Sequence, residues 1–167
     1  MALTIFLDGG FNGTACSTDE NTTPIHNMGG TAVDSMVEIQ ELSTGIETAI
    51  EGSGRHAVGH HRAVPVTFRT RFGKHGPEWF KACDRNEEFN GCFHMFRNNL
   101  TSGEVEPLGQ FTIARGRILS VRFVSPNVLD PDGASQHAFI EISAVYHSLT
   151  ITSADGVEHI IEWQNRA

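Results

Sequence analysis

The sequence predicts a mainly β protein, a small barrel or sandwich of short strands with one short α-helix. Three observations predict it. Apolar and polar residues alternate with period two in several short runs, turn residues punctuate those runs, and a single Pro-led segment carries helical spacing. The chain has 167 residues, enough for one domain over 1–167 to bury a core without staples. Hydrophobic residues make up 39% and charged residues 19%, a globular composition.

Leu3 to Leu7 is a β-rich run closed by Asp8-Gly9-Gly10. Residues 11–35, rich in Gly, Thr, Asn, Asp and Ser, read as a long loop or insertion. Met36 to Ile50 alternates in part and is expected to bend near Ser43-Thr44-Gly45. Residues 51–63, with Gly52, Gly54 and Gly59 and no apolar period, read as an extended loop. Val64 to Phe72 is a half-buried strand with Pro65 near its start, where a missing N–H is tolerated.

Pro77 and Glu78 then mark a helix start, and the spacing predicts a helix over 76–85. Pro77, Trp79 and Phe80 are its expected anchors, with Trp79 buried. Cys92 to Phe96 is a strand. Gln110 to Val124 is a strand pair or one long bent strand, with Gly116 as a bulge. Ser125 to Gly133 is a loop. Ala138 to Val145 alternates, Tyr146 to Thr152 continues it, Ala154-Asp155-Gly156 is a turn, and Glu158 to Trp163 returns.

Composition excludes several functions. A net charge of −8 with no Lys/Arg run argues against a nucleic-acid partner. No apolar run reaches spanning length, so no membrane insertion is expected. The N-terminus lacks a basic region and reads as no signal peptide. Three cysteines, Cys16, Cys83 and Cys92, cannot all pair, which fits a reducing compartment.

No catalytic, cofactor or metal site emerges. The nine histidines show no HExxH or HxH spacing and read as exposed loop residues. Neither a nucleophile elbow nor a phosphate loop is present. Asp130, Asp132 and Gly133 form a plain turn, not a calcium loop. An enzyme reading would have to draw on these histidines with Glu141 or Asp130 as partners.

A resemblance is carried by five stretches. They are Gly59-His60-His61-Arg62-Ala63-Val64-Pro65-Val66-Thr67-Phe68; Lys74-His75-Gly76-Pro77-Glu78-Trp79-Phe80-Lys81-Ala82; Gln110-Phe111-Thr112-Ile113 with Gly116 to Val121; Tyr146 to Thr152 with Asp155-Gly156; and Trp163-Gln164-Asn165-Arg166-Ala167. In order and spacing they resemble the Hcp family, the haemolysin-coregulated proteins of the type VI secretion inner tube. Gly73 and Gly76 stand where that family has Asp and Ser, and residues 11–35 have no close counterpart.

The resemblance implies a small β-barrel of two packed sheets with one helix. It further implies a homo-hexamer stacking into tubes, with sheath, spike and baseplate proteins as partners and effector proteins in the lumen. The protein would reside in the bacterial cytoplasm and then be secreted. Residues 51–63 would be the ring-stacking loop, with Arg55, His56, His60, His61 and Arg62 lending it positive charge. No cofactor and no catalysis are implied. The alternatives are a tail-tube protein of a phage-like contractile particle and a monomeric β-barrel binding module.

Overall fold

The computed structural model describes residues 3–17, 27–50, 57–133 and 136–163, with backbone alone at 27, 49–50 and 57–60. Along the chain come β1 (Leu3–Phe11), β2 (Thr14–Ala15), β3 (Asn27–Met28), β4 (Thr31–Ala32), β5 (Val37–Ile50) and β6 (Ala57–Arg71). Then follow α1 (Gly76–Asp84), β7 (Glu88–Asn98), β8 (Val105–Val124), β9 (Phe139–Val145), β10 (Ser148–Ser153) and β11 (Glu158–Glu162).

The strand order β8-β7-β1-β5-β6-β9 returns to β8, so the sheet closes into a barrel. Closure removes the edges that an open sheet would expose. It depends on β8, a single strand of 20 residues. Its first half pairs with β7 (Phe93↔Phe111), its second with β9 (Val121↔Ile142). The change of partner happens at a bulge. Phe89 faces Gly116 and Gly91 faces Ile113, so Asn90 opposes both Ala114 and Arg115. Arg115 takes φ 51°, and its N–H donates to Asn90 Oδ1 at 2.9 Å, replacing the ladder bond the bulge removes.

β9 and β10 lie along the same side of β8, as one continuing strand broken at Tyr146 and His147. Arg117 faces Val145, and Ala114 faces Ser148. Pro65 falls inside β6 and not at its start. It is accommodated because the β5–β6 register shifts between Ser43 and Gly45, and pairing to β9 begins only at Val66. The predicted bend at Ser43–Gly45 is this same irregularity.

Apolar side chains on the inner faces, such as Leu7, Phe68, Phe93, Ile113 and Ile142, fill the barrel. Trp79 of α1 is fully buried among them. The rings of Phe11, Phe68 and Phe89 surround it, mostly edge-on, with centroids 4.9, 5.3 and 5.3 Å away. Its indole N–H donates to His75 Nδ1 at 3.0 Å. His75 is therefore buried, not an exposed loop histidine, because a buried indole requires an acceptor within reach.

Gly76, Trp79 and Ala82 share the inner face of α1. Phe80 lies 100° further round the helix and is 39% exposed, and Pro77 is exposed, so neither is core. The N-cap position, His75, makes no side-chain cap bond. Glycine at position 76 has a steric cause: a Cβ there would stand 2.5 Å from the Phe72 ring.

Residues 11–35 are not one structureless loop. Asn12 and Gly13, both at positive φ, turn β1 into β2. Gly29 and Gly30 turn β3 into β4. Val33 and Met36 then pack with Phe6 and Phe96 as a second apolar cluster, on the face of β1 opposite Ile5 and Leu7. Residues 18–26 lie outside the described part.

Two stability measurements follow. Trp79→Ala is expected to cost about 3–5 kcal/mol in urea unfolding, from lost burial and a residual cavity; a loss below about 1 kcal/mol would contradict the burial. Gly76→Ser is expected to destabilise by about 1–3 kcal/mol, since the added atoms meet Phe72; a gain in stability would mean the helix start relaxes freely.

Candidate assembly surface

Beyond the barrel, β5 and β6 continue as a two-stranded arm. Gly45↔Val64, Ile46↔Ala63, Glu47↔Arg62, Thr48↔His61 and Ile50↔Ala57 are its rungs. Pairing of β5 to β1 ends at Ile39, and pairing of β6 to β9 begins at Val66. Both outer edges of the arm are thus unpaired among the described residues. Six residues from Gly45 to Ile50 reach about 20 Å, taking a strand's rise.

The arm revises the expected loop. Residues 57–63 continue strand β6 and are not loop. The reason is that the β6 half of the arm, Ala57 to Ala63, carries no apolar–polar alternation to reveal it, and its described residues His61 and Arg62 are exposed. Among the stacking-loop residues, His61 and Arg62 are exposed on the arm. His60 lies in β6 by its backbone, and Arg55 and His56 fall outside the described residues. Glu47 stands opposite Arg62, and Thr48 Oγ1 lies 3.3 Å from His61 Nδ1. Ile46 is 48% exposed.

A second unpaired edge lies beside the arm. Among the described residues, β11 pairs only with β10. It sits where β6 would lie had β6 followed β10 as it follows β9. The sheet therefore forks, and the fork leaves a groove of about 300 Å³. Ile46, His61 and Ala63 line one wall, and His159 to Glu162 the other. Unpaired edges of this kind are templates for β-strand addition.

The outer face of the barrel carries a charge ladder across β5, β6, β9 and β8. Arg69 Nη2 meets Glu141 Oε1 at 2.7 Å and Arg69 Nη1 meets Glu41 Oε2 at 3.7 Å. Arg122 Nε meets Glu141 Oε2 at 3.4 Å, and the Arg69 guanidinium lies 4.2 Å from the centre of the Phe139 ring. Glu141, one of the two carboxylates an enzyme reading would draw on, is engaged by two arginines. Asp130 Oδ1 accepts the Asp132 N–H in an exposed turn. Among the described residues, no three His, Cys, Asp or Glu converge to hold a metal ion. No described helix is long and apolar enough to cross a membrane.

The three thiols are free. Burial, reinforced by the negative charges of Glu78 and Asp8, pushes Cys16 up to about 12. Burial also raises Cys92. A thiol held neutral is a poor nucleophile. Glu78 accepts hydrogen bonds from both the N–H and the hydroxyl of Ser17, which ties the segment after Cys16 to α1.

No family model matches the chain, and no curated protein matches it. Solved structures do. An Hcp protein superposes with a TM-score of 0.83 at 15% identity, covering 99% of this chain and 100% of its own. The secreted protein Hcp3 from Pseudomonas aeruginosa gives 0.72 at 14% identity, over 98% and 100%. A type six secretion system protein gives 0.59 at 12% identity, over 96% and 92%. The chain has the fold of the Hcp proteins over nearly its whole length.

Thiol reactivity checks the burial of Cys16 in the core. In Ellman's assay at pH 8, Cys16 is expected to label only on unfolding, whereas the denatured chain labels at all three cysteines. Rapid native labelling that disappears in Cys16→Ser would show that the segment before Ser17 opens.

Proposed function

We propose that this chain is a tube subunit of a type VI secretion system, one that assembles as hexameric rings stacked through the β5–β6 arm. The observation that carries the reading is the likeness over the full chain to Hcp structures. The forked sheet supports it physically. A free arm and a free β11 edge are different surfaces of one subunit. Pairing one with the other is heterologous, and such contacts give rings or filaments.

Arg55, His56, His60, His61 and Arg62 add positive charge to an arm carried by a chain of net charge −8. Charge complementarity would then steer one ring onto the acidic body of the next. In this reading the tube is propelled by a contracting sheath, works with spike and baseplate proteins, and carries effector proteins in its lumen. The protein leaves the cytoplasm by that route. The work is mechanical, and no step in it calls for a catalytic side chain, a cofactor or a metal.

Light scattering with negative-stain imaging tests the proposal. A ring-sized mass with annular particles is expected, and a monomer across a wide concentration range would defeat it. Replacing residues 51–56 by a two-residue Asn-Gly turn is expected to leave circular dichroism and ring mass unchanged while abolishing tubes. Tubes that persist would mean another element does the stacking.

A further inference from the structure

We propose that the groove in the forked sheet is the docking site for loop 125–133 of a second copy of this chain, with Leu129 as the knob that enters it. The proposal rests on the tube reading, and it names the surface that the base of the arm meets on the next subunit.

The loop holds the knob in a fixed shape. Asn127 Oδ1 accepts the Leu129 N–H at 3.1 Å, and the Asn127 carbonyl accepts the Asp130 N–H at 3.2 Å. The Asp130 carbonyl accepts the Gly133 N–H at 3.0 Å. Pro126 and Pro131 restrict the backbone on either side. The turn leaves Val128 70% and Leu129 90% exposed. A lone exposed apolar residue is ordinary. Two adjacent ones on a self-bonded tip are a preorganised contact, which loses little freedom on binding.

The groove offers the complement. Ile46 stands on its arm side and Ile160 on its β11 side, 48% and 52% exposed. The more buried Ala63 and Ile161 continue the lining into the core. Its polar groups match the loop as donors to acceptors. Asp130 and Asp132 flank the knob, and residues 125–133 contain no Lys or Arg. His61 and His159 line the groove from opposite walls, and an imidazole N–H donates to a carboxylate. Glu162 is the single carboxylate of the lining and acts against the loop, and Arg62 beside His61 faces Glu47 across the arm. Apolar burial therefore supplies the affinity, and the imidazole–carboxylate pairs set the orientation.

Knob and groove lie at opposite ends of the barrel. β6 runs from Ala63 in the groove wall to Arg71, which faces Phe139, where the chain rejoins the sheet after the loop. At a strand's rise that separation is about 26 Å. The loop leaves β8 at the same end, since Val124 also faces Phe139. A chain thus cannot fill its own groove, and the occupant is a second copy. Because the two surfaces differ, the contact is heterologous and repeats head to tail.

Cross-linking tests the contact. Leu129→Cys and Ile160→Cys are combined in one chain and treated with oxidised glutathione, with each single variant as control. Both positions are exposed, so the thermal midpoint is expected to stay at the wild-type value. The double variant is expected to give a ladder of dimers, trimers and longer species on a non-reducing gel, and the single variants to stop at dimers. In the chain without added cysteines, Leu129→Asp should weaken self-association about tenfold or more in sedimentation, and Glu162→Gln should tighten it. A ladder without annular particles would keep this contact and remove the tube reading. Annular particles without a ladder would keep the tube reading and overturn this contact. It is equally overturned by an internal cross-link that leaves the double variant monomeric, by the same ladder from Leu129→Cys alone, or by wild-type association of Leu129→Asp.

Discussion

Closure of the barrel through β8 is the constraint on which the other features depend. One strand must satisfy β7 along its first half and β9 along its second, and it does so only by bending at Arg115. A positive φ at a non-glycine residue is costly, and Asn90 offsets part of that cost through its side-chain acceptor. Because β8 bends, β9 breaks opposite it at Tyr146. Because β9 breaks, β6 and β11 take separate neighbours, and the sheet forks. The fork is a consequence of that single irregularity, whereas the arm has register shifts of its own between β5 and β6.

The aromatic cluster around Trp79 answers a different need. A barrel this small leaves an interior that side chains must fill, and α1 supplies one large ring that packs among Phe11 of β1, Phe68 of β6 and Phe89 of β7. At position 76 a glycine lets the helix start approach the half-exposed ring of Phe72, which any side chain there would have to displace.

What could be read from the sequence follows burial. Strands with one face inside, such as Val66-Thr67-Phe68 and the β9 run, show period-two alternation and were legible. So were α1, from Pro77 with Glu78, and the Ala154-Asp155-Gly156 turn, where Gly156 sits at φ 85°. Of the arm, the β5 half was legible within Met36 to Ile50, but the β6 half was not, because Ala57 to Arg62 has no alternation and His60-His61-Arg62 resembles loop. Nor was the Val33–Met36 cluster, since its partners Phe6 and Phe96 lie far off in sequence. His75 gave a local signal that went unread: four residues before a buried tryptophan, a histidine is well placed to accept its N–H.

The position of β1 has a consequence for biosynthesis. The first strand of the chain is an interior one, paired to Val37–Ile39 on one side and to Phe89–Arg97 on the other. The second contact waits for nearly one hundred residues, and the seam between β6 and β9 waits for Phe139–Ala144. A nascent chain leaving the ribosome thus holds apolar strands without their partners until most of it has been made. Topologies with such distant pairings fold slowly and expose sticky intermediates. Holdase assistance during synthesis would therefore serve this protein at its earliest strands, long before its last one exists.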